Sequence, residues 1–165
     1  MKNTKPQQNN QLGVSLSDEP VSRLFRWDLS RVRQHLAERK RWSVKRCLAV
    51  DQEYRRFIAL HVIHPKAGIS PSKLVDEMWH THVLFTRDYA KFCETIAGKF
   101  IHHNPFLKAD QNRPEVKKVP HRTMMLYRRH FGKPDPKIWP WAKCADCTTA
   151  SCGDCTSSDC GPRCT

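Results

Sequence analysis

The stretch ISPSKLVDEMWHTHVLFTRDYAKFCETIAG, residues 69–98, decides the fold. Leu74, Val75, Met78, Trp79, His82, Phe85, Tyr89, Phe92, Cys93 and Ile96 recur at helical spacing and form one broad apolar side. Ser70 is positioned as an N-cap, Pro71 suits a first turn, and Gly98 supplies a stop. The spacing therefore predicts one long helix from about residue 70 to residue 97.

The same reading extends in both directions. Val21, Leu24, Phe25, Leu29, Val32 and Leu36 predict one bent helix or two short ones, opened by Asp18-Glu19-Pro20. Val44, Leu48, Tyr54, Phe57, Ile58, His61 and Val62 form a further stripe, stopped by Pro65 and Gly68. HRTMMLYRRHFG, residues 121–132, predicts a helix closed by Gly132. KPDPKIWPW, residues 133–141, then brings two tryptophans back onto the bundle. Strand alternation and internal repeats are both missing from this part of the sequence. The expectation is an all-α fold: a small irregular helical bundle over residues 21–141. A disordered polar leader at 1–20 precedes it, and a cysteine-rich tail at 142–165 follows.

Charge and composition narrow the function. The chain has 165 residues and a formal charge of +13. The first twenty residues balance and the last twenty-four carry one net negative charge, so residues 21–141 hold +14. A small soluble domain is expected to carry a charge magnitude of about 2–8. The excess favours an anionic partner, either nucleic acid or an acidic protein. No apolar run reaches membrane-spanning length, and the N-terminus has no apolar signal core, so cytoplasm is the default expectation. Phosphate-loop, HExxH and GxSxG patterns are absent, which removes the motif-level case for those enzyme classes.

Two groups of residues carry metal-ligand chemistry. Asp76 and His80 stand four apart and share a helix face. His103, on the elbow after Gly98, can return toward them. Asp76, His80, His82 and His103 are the candidate metal ligands of the helical body, a mixed nitrogen and oxygen set suited to zinc or iron. His82 is the weaker member, because His80 and His82 differ by about 200° around an ideal helix. The competing reading is structural: His82 as a core histidine with one hydrogen bond, Asp76 as a cap or a partner of Arg87, and His103 bonded to the helix end. The second group is CADCTTASCGDCTSSDCGPRC, with Cys144, Cys147, Cys152 and Cys155 in a CxxC-x4-CxxC arrangement. Thiolates so spaced suit zinc or copper(I), with disulfides or a low-complexity tail as rivals. Cys47 and Cys93 lie on apolar helix faces and read as core residues.

VDEMWHTHVLFTRDYAKFC and GKFIHHNP together resemble the glycine-rich domain-containing protein-like family of plants and bacteria. Asp76, the Trp79-His80 pair, His82, Tyr89 and the elbow from Gly98 to Pro105 carry the likeness. EYRRFIAL and MLYRRHFG extend it over roughly residues 25–140. The resemblance implies the helical domain and supplies no catalytic role for Asp76, His80 or His82. Plant members are associated with development and stress responses, and some carry RNA-binding-like and glycine-rich segments. This chain has six glycines, no RNA-recognition signature, and a tail rich in Cys, Ser and Thr.

Overall fold

The computed structural model describes residues 15–104, 109 and 112–141. Among these residues all regular structure is helical. The elements are α1 (Glu19–Arg26), α2 (Ser30–Lys40), α3 (Val44–Ile63), α4 (Lys73–Leu84), α5 (Thr86–Ala97), the single turn α6 (Pro114–Lys117) and α7 (Val119–Phe131). The all-α reading therefore holds. The first helix begins at Glu19, two residues inside the segment assigned to the leader, with Pro20 in its first turn.

Helix α3 is the hub, packed against α1, α2, α4 and α7. Its Tyr54, Phe57, Ile58 and Leu60 are fully buried, where they meet Met78, Phe92 and Tyr127 from the surrounding helices. Burying side chains of this kind is worth about 1.5–3 kcal/mol each before conformational entropy is charged against it. The predicted stripe on α3 drifts at its start. Val44 and Leu48 are 73% and 51% exposed. Cys47 and Val50 point inward there instead, so the apolar face is set by the second half of the helix.

Two buried ionic groups join the elements. Asp51 and Arg55, one helical turn apart, pair at 2.8 Å, and Arg33 reaches Asp51 at 2.5 Å. Arg55 Nη1 donates to the carbonyls of Leu24 and Phe25, and Nη2 to that of Trp27. These are carbonyls at the end of α1, where intrahelical donors run out; only that of Leu24 also accepts a backbone N–H, from Trp27 at 3.3 Å. One guanidinium thus ties α1 to α3. On the other side of α3, Glu53 accepts from the Tyr127 hydroxyl at 2.6 Å, the Trp139 indole N–H at 2.7 Å and Arg56 at 2.8 Å. Trp139 is fully buried, and Trp141 packs beside it, so both tryptophans return to the bundle.

The long helix expected over residues 70–97 is two helices. Ser72, not Ser70, caps the first, its hydroxyl accepting from the Val75 N–H. Phe85 leaves the helical region at φ −83°, ψ 61°, ending α4 and opening α5. Neither proline nor glycine marks this break. Gly98 ends α5 in the left-handed region, φ 62°, where a side chain would be strained.

Candidate metal centre

Asp76 lies in the first turn of α4, where the positive end of the helix dipole favours a carboxylate, and His80 stands one turn further along. His103 is brought to them by the elbow after α5. The elbow is held by a short chain of hydrogen bonds: the Trp79 indole N–H donates to the Tyr89 hydroxyl at 2.8 Å, which donates to the Ile101 carbonyl at 2.5 Å. Trp79 and Tyr89 are both buried, so this chain is shielded from water. The His103 ring then lies edge-on to Trp79, centroids 4.5 Å apart.

The result is a compact cluster. His103 Nε2 is 2.7 Å from Asp76 Oδ1, and His80 Nδ1 is 3.2 Å from Asp76 Oδ2. One ligand atom from each of the three residues lies within 4.8 Å of the others. Ligands at 2.0–2.1 Å in a tetrahedral shell are about 3.3 Å from one another. Opening the His103–Asp76 contact and turning the rings toward a common centre would make these atoms three corners of such a shell. His103 is mostly covered, Asp76 is half-buried and His80 is 49% exposed, so the remaining position faces solvent. The chain thus carries a His/Asp cluster with the composition and spacing of a metal site.

His82 is elsewhere. It is fully buried on the opposite side of α4, with Nδ1 2.9 Å from the Tyr54 hydroxyl and Nε2 2.9 Å from Asp88 Oδ2. Burial holds its pKa below the usual histidine range, although the Asp88 carboxylate pulls the other way. Burial also pushes the Tyr54 phenol far up, so Tyr54 keeps its proton. These partners assign the tautomer: Tyr54 donates to Nδ1, and the Nε2–H donates to Asp88. The imidazole has no lone pair left for a metal. His82 is accordingly removed from the candidate ligand set. Helical phase foretold the separation of His80 from His82; Tyr54 and Asp88 as its partners were missed, and Asp76 pairs with His103 rather than with Arg87.

The other histidines and the cysteines divide as follows. His61 is lodged edge-on between Phe57 and Trp79, and its Nε2 is buried without a hydrogen-bond partner. Burial lowers its pKa to about 4. His64 and His130 face each other, Nε2 to Nε2, at 2.8 Å, tying α7 to the end of α3. His102 lies against Phe100. Cys47 and Cys93 are buried thiols, and desolvation raises the pKa of both, leaving them in the unreactive protonated form. Cys144, Cys147, Cys152 and Cys155 lie outside the described residues. No helix among the described residues is long and apolar enough to cross a membrane.

Comparison with curated proteins and with solved structures finds no match. A family model described as UCP032817-like matches residues 19–124. This overturns the resemblance to the glycine-rich domain-containing protein-like family. The motif residues behind that resemblance also have local structural roles: Trp79 and Tyr89 hold the elbow, His82 fills the core, and Gly98 turns the chain. So short a pattern reports a way of packing helices as much as membership of a family. The matched span covers more than half of the chain and contains Asp76, His80 and His103, and the chain belongs to the UCP032817-like family.

Proposed function

We propose that the chain is a metal-binding protein whose helical body holds a divalent ion through Asp76, His80 and His103. The observation that carries this reading is the convergence of one donor atom from each residue within 4.8 Å. Two imidazoles and a carboxylate suit zinc or iron(II), both of which accept mixed nitrogen and oxygen ligands. With three protein ligands, a position is left for water or a small ligand. In the same reading Cys144, Cys147, Cys152 and Cys155 form a second, softer site for zinc or copper(I). The two sites separate by chemistry, because thiolates favour soft ions and the histidine–carboxylate set favours harder ones.

The test is metal stoichiometry of the untagged chain with its six tail cysteines replaced by serine, so that only the helical body can bind. One ion per chain is expected, lost in both His103→Ala and Asp76→Asn. A wild-type body that takes up no zinc or iron(II) under reducing conditions overturns the reading. So does a stoichiometry that neither substitution changes.

A second reading rests on the turn between α2 and α3. RKRWSVKR, residues 39–46, holds five basic residues. Arg39 and Lys40 pair with Glu77, and Arg46 stacks on Trp42 at 4.3 Å. Arg41 and Lys45 are exposed, and so are Val44 and Leu48 beside them. This is a surface for an acidic partner, nucleic acid or protein. Binding to it should weaken steeply with salt and survive removal of the metal ligands.

A further inference from the structure

A cavity of about 490 Å³ opens between the end of α1, the start of α2 and the α4–α5 break. It uses none of the three candidate metal ligands. Its size is that of a small-molecule pocket. Trp27, Val32 and Phe85 supply apolar wall, and Arg23, Arg26 and Arg31 supply positive charge. Two acids also line it, Asp28 and Asp88. Both are already engaged. Asp28 accepts the Ser30 backbone N–H at 2.9 Å, and Asp88 accepts from His82 at 2.9 Å and more weakly from the Trp27 indole at 3.5 Å.

The arginines are less occupied. Arg23 and Arg26 share one exposed carboxylate, Glu19, at 2.9 and 3.4 Å. Solvent makes such a pairing weak and easy to exchange. Arg31 has no carboxylate partner among the described residues; its guanidinium lies over the Phe85 ring, 5.9 Å from the centroid. A planar guanidinium beside an aromatic wall presents hydrogen-bond donors in a fork that fits a carboxylate or phosphate.

We propose that this cavity binds a small planar anion: an aromatic body against Trp27 and Phe85, with its carboxylate or phosphate held by Arg31 and Arg26. The apolar wall accounts for the body, and the exposed Arg31 guanidinium, which has no carboxylate partner among the described residues, for the oxyanion. Asp88 is fixed by His82 and Trp27, so it sets one boundary of the site without having to move.

The probes are 1-naphthoate, 1-naphthyl phosphate, inorganic phosphate and neutral 1-naphthol. Each is titrated calorimetrically into the full chain kept free of metal by a chelator. The Trp27 indole N–H, assigned by its loss in Trp27→Phe, is followed by NMR. At least one naphthyl anion is expected to bind saturably and shift that resonance, more tightly than naphthol or inorganic phosphate. The tighter of the two anions assigns the headgroup. Arg31→Gln and Arg26→Gln, each with an unchanged circular dichroism spectrum, should weaken binding about tenfold or more. Arg41→Gln and His80→Ala should leave it unchanged. The proposal is overturned if neither anion binds at millimolar concentration, if naphthol or inorganic phosphate binds as tightly, or if the Arg31 and Arg26 substitutions have no effect.

Discussion

His80 and His82 stand two residues apart on α4, and each faces an aspartate, yet the two arrangements differ in kind. His82 is wholly enclosed, with both ring nitrogens committed to Tyr54 and Asp88. His80 is half exposed and shares Asp76 with His103, which arrives from a separate loop. The first arrangement is closed: every polar atom of the imidazole is used, and adding a ligand breaks something. The second has open valence and a solvent-facing side. Enclosure, more than residue type, therefore separates a histidine that stabilises the fold from one available for chemistry.

Removing His82 should break the comparison most severely. His82→Ala leaves a cavity and an unpaired Tyr54 hydroxyl, and the expected loss is about 3 kcal/mol in urea unfolding. A loss below about 1 kcal/mol would mean that the core closes over the site and that the two histidines differ less than their burial implies.

His61 sharpens the comparison, since it is a mostly covered ring with a buried, unpaired nitrogen. Its pKa is held near 4 in the fold and returns to about 6.5 on unfolding. The unfolded chain thus binds the extra proton below pH 6.5. Stability from this group is complete above that pH and is lost as pH falls toward 4, by up to about 3 kcal/mol. His61→Phe should flatten that part of the pH–stability profile. An unchanged slope assigns the acid sensitivity to other groups.

Asp88→Asn is a milder intervention. The amide oxygen can still accept the His82 Nε2–H, so only the charge assistance is lost, at about 1 kcal/mol or less. His82 should remain neutral near pH 7, with Nδ1 unprotonated, as read from its imidazole nitrogen shifts. The smallest effect on stability belongs to His80→Ala. At this half-exposed position the unfolding free energy should change by no more than about 0.5 kcal/mol. Metal uptake by the helical body should nevertheless disappear, and a retained ion would remove His80 from the ligand set.

Much of this was legible from residue spacing. Asp76 and His80 meet because they are four apart on one helix, and the turn at Gly98 makes a returning His103 intelligible. The exclusion of His82 from that face follows from helical phase alone. Its partners do not, because Tyr54 comes from another helix and Asp88 lies across a break that no glycine or proline announces. Periodicity sees which way a side chain points but not what waits there. Ser70 and Ser72 illustrate the same limit at closer range: both are suitable caps, and only the position of the first helical turn chooses Ser72. The exposure of Val44 and Leu48 shows an apolar pattern continuing beyond the surface that buries it.

The pairing of Glu53 with Tyr127 and Trp139 also bears on how the chain is made. During synthesis the acid leaves the ribosome more than seventy residues before either of these partners. Until residue 127 has emerged Arg56 is the one of these three partners available to the carboxylate, and its final enclosure cannot form until residue 139 follows. Closure of this side of the bundle is therefore a late event in the life of the nascent chain. A recombinant fragment ending at residue 124, where the family match stops, would hold α3 in that unfinished state.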